Sequence, residues 1–235
     1  MSLTPRTLFV TACLTLWGPV VWAARPFMTD DARLTTEGSC QLESWARHYS
    51  NRTEYWALPA CNPGGNFEVT AGGAQFRADG LPDSQDRVLQ GKALFRPLQT
   101  NDWGWGLAVG KVWHPSTQPG PNNLGNTYLY LPLSVSAQDD RMVFHFNLGW
   151  VQDRQTRLNS TTWGSGVEYW AHSRVMLIAE AFGDDRQKPF VQAGLRFALV
   201  PGLFQIDATQ GVQPGRQGRS SWASIGIRYT PDKIF

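Results

Sequence analysis

The chain has 235 residues and a formal net charge of +2. That is too little charge to hold a nucleic-acid backbone, and no Lys/Arg run forms a phosphate-binding stripe. Trp 11, Tyr 6 and Phe 12 beside a mean hydropathy of -0.32 describe an aromatic-rich chain that is polar on average, as a wall with one apolar and one wet face would be.

Residues 1–23 read as a secretory signal, with Arg6 in a short n-region, an apolar run from Leu8 to Trp22 and a small-residue cleavage site at Val21-Trp22-Ala23. An apolar run of about fifteen residues is short for a spanning helix. Val10-Thr11-Ala12-Cys13 imitates a lipoprotein box but would leave only Leu8, Phe9 and Val10 as its apolar core. Downstream, no stretch approaches the roughly twenty apolar residues of a membrane helix, so a membrane location requires strands. Residues 24–38 carry Asp30, Asp31 and Arg33. They are too long for a tight turn and too polar for a bilayer, so they are expected in the periplasm or folded back into the barrel mouth, with Arg96, Arg196 and Arg228 as partners for the aspartates.

From residue 39 to 235 the sequence predicts an all-β domain: a transmembrane up-and-down antiparallel β-barrel of about twelve strands. The period-two segments are Cys40–Ser50, Thr53–Cys61, Asn66–Ala78, Arg87–Leu98, Trp103–Trp113, Thr127–Ala137, Arg141–Gln152, Thr161–Ala171, Arg174–Phe182, Pro189–Leu199, Leu203–Val212 and Ser221–Thr230. Their connections alternate. Short ones built from turn residues, such as Gln99 to Asp102, Gln138 to Asp140 and Pro201-Gly202, are expected as periplasmic turns. Longer polar ones, such as Asp79 to Asp86 and His114 to Asn126, are expected as extracellular loops.

One face of these segments is apolar throughout, as in Leu129, Leu131, Leu133 and Val135, or Phe144, Phe146, Leu148 and Trp150. The other face carries charges that a dry β-sandwich core would bury at great cost and a barrel lumen accepts. Aromatic girdles are expected from Phe95, Trp103, Tyr169, Phe197, Phe204 and Tyr229 at the periplasmic end, and from Trp113, Trp150, Trp163 and Trp222 at the outer end.

The start of the mature chain, Arg25-Pro-Phe-Met-Thr-Asp-Asp-Ala32, followed by Gly38 and Gln41-Leu-Glu43, resembles a family of proteobacterial outer-membrane proteins labelled with a role in the meta pathway of phenol degradation. The segment from Glu54 to Glu68 is similar to members of that group. The resemblance covers the first third of the mature chain and implies an outer-membrane barrel for uptake of small, aromatic or hydrophobic compounds. It carries over no catalytic residue.

Cys40 and Cys61 are the cysteines beyond the signal, and export makes a disulfide the default for such a pair. A hairpin turning near Ser50-Asn51-Arg52 places residues opposite when their numbers sum to about 101 to 103; Cys40 and Cys61 satisfy this. The histidines, His48, His114, His145 and His172, sit in no metal or nucleophile motif, so neither metal nor cofactor is expected. Lumenal parity groups Glu43, Glu68, Lys92, Arg96, Glu168, Glu180, Arg196, Asp207 and Arg228 into one charge network. Within it Arg196 faces Asp207, Glu43 approaches Arg228 across the closing seam, and Glu168 and Glu180 need a cation for which Arg196 is the candidate. The network is read either as an ion-pair lattice that rigidifies the lower barrel or as a polar constriction that selects solutes. Above it, inward residues are small (Gly104, Gly106, Ala108, Gly110, Gly164, Gly166, Gly194) or aromatic (Tyr128, Tyr130, Trp170). They form either a cavity open to the outside or seats for bulky neighbours.

The expected function is a passive channel or uptake protein for small molecules in the bacterial outer membrane. The alternatives are a closed structural or interaction barrel acting through its loops, and a lipid-acting enzyme, the last disfavoured because His145 faces the lumen. The expected partners are outer-membrane lipid, a small-molecule solute, and the barrel-assembly machinery through the C-terminal strand ending at Phe235.

Overall fold

The computed structural model describes residues 27–114, 122–153, 156–215 and 221–235, with backbone placement alone at 122–125. The expected signal at 1–23 and parts of three long loops lie outside the described residues. Twelve strands follow in order: β1 Ser39–Tyr49, β2 Arg52–Asn62, β3 Phe67–Ala78, β4 Ser84–Arg96, β5 Trp103–His114, β6 Asn122–Ala137, β7 Met142–Asp153, β8 Asn159–His172, β9 Val175–Asp184, β10 Phe190–Val200, β11 Phe204–Val212 and β12 Trp222–Tyr229. Each pairs antiparallel with its neighbour, and β1 pairs with β12, so the sheet closes into a barrel without a free edge. β4 and β6 begin three and five residues before the sequence segments, because their polar first residues are already held in the ladder.

Alternation along each strand sets the two faces. Leu148, Leu195 and Ile225 are more than half exposed on the outside, with Trp103, Leu131 and Phe146 close behind. On the inside Arg196, His145 and Ser134 are fully buried. An apolar outer wall around a charged interior is the arrangement of a barrel standing in lipid.

Two prolines interrupt the ladders on one side each. The β2–β3 register skips Leu58 and Pro59, and the β5–β6 register skips Leu131 and Pro132. Proline brings no N–H to the ladder. The seam is intact at the other edge of each strand, where Pro59 lies opposite Leu42 and Pro132 opposite Asn147.

The turn end of the barrel is tightly tied. Gly202 takes φ 77° where β10 turns into β11. Gln138, Asp139 and Asp140 are all left-handed, at φ 55°, 55° and 63°. Their turn is braced from the next one: the Asp139 N–H donates to Asn101 Oδ1 at 2.8 Å, and the Thr100 hydroxyl donates to Asp140. The C-terminal strand stops at Tyr229 and does not run on to Phe235. Pro231 cannot extend the ladder, and the last residues fold across the first strand instead, Ile234 and Phe235 donating their N–H groups to the Gly38 carbonyl at 2.9 and 3.0 Å.

Candidate functional site

Residues 27–38 run inside the barrel, entering at the turn end, where the Gly38 N–H bonds the Asn62 carbonyl at 2.9 Å. An extended segment that pairs with no strand needs other partners for its amides, and the lumenal side chains supply them around the ring. Glu68 on β3 accepts the Thr35 N–H at 2.8 Å, Ser134 on β6 accepts that of Ala32 at 2.9 Å, and Asn147 on β7 accepts that of Asp30 at 2.6 Å. Glu180 on β9 takes two at once, Met28 at 2.8 Å and Thr29 at 2.9 Å. Apolar residues of the plug fill the gaps between these polar clamps: Phe27 packs on Met176 and Ile178 beside Trp170, while Ala32 and Leu34 pack on Leu94.

Inward glycines make room for the plug. A Cβ on Gly164 would lie 2.4 Å from Thr29 Oγ1, and one on Gly166 would lie 3.3 Å from the Phe27 ring. Gly110 is likewise occupied by the Tyr128 ring and Gly211 by Trp222. Gly110, Gly164 and Gly166 therefore seat bulky neighbours, one of the two readings open from sequence, while the cavity above the plug, which Gly164 also lines, meets the other.

The lumenal charges divide into local groups. Lys92 lies opposite Glu68 in the register and reaches Asp30 Oδ1 at 3.0 Å and Asp31 Oδ1 at 3.7 Å. The hydrogen-bonded cation of the two plug aspartates is thus Lys92, not the three arginines expected. Glu168 gathers Arg33 at 3.1 Å, Arg196 at 3.5 Å and His145 Nε2 at 3.5 Å. Arg196 stands opposite Asp207, and Arg228 opposite Glu43 at 3.9 Å across the closing seam, with Gln41 accepting from Arg228 at 3.2 Å. Glu180 sits apart from that cluster, since its oxygens are taken by plug amides and Gln192.

Arg96 does not join the network. A β-bulge between Leu94 and Arg96 inserts Phe95 as an extra residue, so Arg96 lies opposite outward-facing Trp105. Its guanidinium stacks over Trp103 at 4.2 Å and donates to Asp102 at 2.6 Å. The Trp103 N–H and this guanidinium together hold the Asp102 carboxyl below the usual carboxylate range. Trp222 departs from expectation in the opposite sense: it is 3% exposed and inward, against Tyr49, Phe182 and Phe190 with Arg47 over its ring at 5.5 Å. Trp170 packs against Phe27, Met176 and Ile178 and does not line the cavity.

Ser134, His145 and Glu168 form a line with the residue types of a hydrolytic relay: the Ser134 hydroxyl lies 2.8 Å from His145 Nδ1, and Nε2 faces the Glu168 carboxylate. All three are buried, with 0%, 0% and 1% exposed, and Ser134 Oγ already accepts a plug amide. No substrate reaches this line while the plug is in place, and its geometry is that of a clamp on Ala32.

Above the plug lies a cavity of about 520 Å³, reaching the loop end near Gly183 and Asp184. Met28 and Asp30 form part of its floor. Its walls hold Trp45 stacked on Trp56 (5.3 Å, 1°) and Tyr128 stacked on Tyr130 (6.2 Å, 11°), with Phe182 and Phe190 stacked opposite (5.5 Å, 19°). Tyr130 donates to Asp30 at 2.6 Å, and Tyr128 to Gln90 at 3.0 Å, so the plug and the aromatic wall are joined. Sequence parity placed the tyrosines here. Trp45, Arg47 and Trp56 escaped notice, although Trp45 and Arg47 share the parity of Glu43.

A family model described as "Uncharacterised conserved protein UCP029691" matches residues 12–230. The chain belongs to this family. Its description names no substrate or pathway, so the phenol-degradation label implied by the N-terminal motifs is not established by it. No curated protein matches. Among solved structures, the KdgM porin in complex with disordered oligogalacturonate is similar at TM-score 0.63 and 9% identity, over 81% of this chain and 99% of that one. The NanC porin is similar at 0.58 and 13% identity, over 82% and 100%. The outer membrane protein Omp33 of Acinetobacter baumannii is similar at 0.52 and 6% identity, over 84% and 100%. At these identities the likeness is one of fold: this chain shares the closed barrel architecture of these outer-membrane porin structures.

Proposed function

We propose that this protein is an outer-membrane uptake barrel for small aromatic or hydrophobic molecules, which enter the cavity from the loop end and pass on when the N-terminal plug shifts. The observation that carries the proposal is the aromatic-walled cavity of about 520 Å³ floored by the plug. Planar walls with a few polar groups favour a compact ring-bearing solute over a long hydrated chain. The resemblance of the N-terminal motifs to the phenol-degradation group points to the same solute class, and porin-type barrels of similar fold fit a transport role better than catalysis. A second reading, a closed structural barrel, draws support from the filled lower lumen, where Arg196 and Glu168 are buried with their partners.

Uptake of radiolabelled benzyl alcohol by cells with and without the protein separates these readings. Saturable uptake that depends on the protein, and is weakened in Leu58→Trp, whose indole would intrude between the aromatic walls of the cavity, is expected. Equal uptake with and without the protein would leave the structural barrel.

A further inference from the structure

The charged side chains lining the cavity are unequal in number. Its lining includes four carboxylates, Asp30, Glu43, Glu68 and Asp184, and two cations, Arg47 and Lys92. Both cations are already matched. Lys92 lies between Asp30, Asp31 and Glu68, and Arg47 pairs with Glu54 at 3.8 Å while lying against Trp222 and 3.5 Å from Met28 Sδ. An anionic guest would have to displace a carboxylate from one of them, at the expense of burying that carboxylate without its partner. A cationic guest strands no charge: it shares Asp30 with Lys92, which keeps Asp31 and Glu68 beside it. The guest meets Trp45, Trp56, Tyr128 and Tyr130, and at the floor Asp30, whose Oδ1 accepts from Lys92 and the Asp31 N–H and whose Oδ2 accepts from Tyr130. Aromatic faces beside carboxylates are the surroundings in which organic ammonium ions are held by ring quadrupoles and charge together.

We infer that the cavity is a binding site for small organic cations bearing an aromatic ring, that is, aryl-alkyl ammonium compounds, in preference to aromatic acids. This rests on the uptake reading above and narrows its solute class. Asp30 is the residue that sets the sign, because it belongs to the cavity floor and to the plug alike. A guest ammonium near Asp30 competes with Lys92 for the same carboxylate, so occupancy of the site and the hold on the plug draw on one group.

The test is calorimetric titration of the purified full-length protein with three probes of one shape, benzyltrimethylammonium, benzyl alcohol and benzoate, with Leu58→Trp as the control for partition into detergent. Benzyltrimethylammonium is expected to bind about tenfold tighter than benzoate. Asp30→Asn should weaken the cation and strengthen benzoate, because Lys92 loses one of its carboxylates. If Asp30→Asn does not assemble, added salt serves in its place: the cation's advantage in the wild-type protein should shrink as ionic strength rises. Benzoate binding as tightly as the cation, or an advantage that neither salt nor Asp30→Asn changes, overturns the inference. Benzyl alcohol binding that Leu58→Trp weakens, without any order by charge, would refute the preference and leave uptake standing; no binding by any probe would remove both.

Discussion

Arg196 shows what a charged side chain requires inside a protein wall. It is fully buried, 3.5 Å from Glu168 and opposite Asp207 in the β10–β11 register. A guanidinium in water-filled space would lose little on mutation, since solvent screens its partners. Here Arg196→Ala leaves two buried carboxylates short of a cation, an expected loss of about 3–5 kcal/mol. The readout is the temperature at which the folded barrel loses its fast gel mobility in detergent. Combining the change with Asp207→Ala should recover part of the loss. A midpoint that does not move in Arg196→Ala would mean that water fills the lower lumen and that the ion lattice contributes nothing there. His145 illustrates a different constraint. Its neighbours include both a hydroxyl and a carboxylate, yet burial under Ala32 makes it part of the plug's seat.

At the scale of the element, the strands were legible because lipid on one side and charge on the other enforce a strict period of two. The Cys40–Cys61 disulfide followed from the same arithmetic, and the structure joins the two residues as direct partners in the β1–β2 register. Removing it by Cys40→Ser with Cys61→Ser should lower stability by about 3 kcal/mol through the unfolded chain, while probe binding in the cavity stays unchanged. Two alkylatable thiols in exported protein would contradict the bond outright. What the alternation could not reveal were the places where the period breaks or where a partner lies far off in sequence. The bulge at Phe95 turned Arg96 outward, and no residue type nearby announces it. Trp222 has inward parity, and only the assumption that tryptophans gather in girdles hid this. The choice of Lys92 by Asp30 and Asp31 depends on how high the plug climbs, which the sequence of an extended segment does not encode. The glycines at 164 and 166 were visible as absent side chains, but the residues that occupy their space come from more than a hundred positions away.

For the molecule as a whole, closure of β1 on β12 leaves no free edge, and the lumen is divided into two zones. The loop-end half holds the aromatic cavity, and the turn-end half is packed with the plug and its ion pairs. Transport through such a barrel requires the plug to shift, and the many amide bonds to Glu68, Glu180, Ser134 and Asn147 set how firmly it stays. Single-channel conductance of the full-length protein in a planar bilayer, compared with a variant lacking Phe27 to Thr36, tests the plugged lumen most directly. The full-length protein should show a low or unresolved conductance and the shortened one large, stable openings. Equal conductance in the two proteins would contradict a plug that closes the barrel.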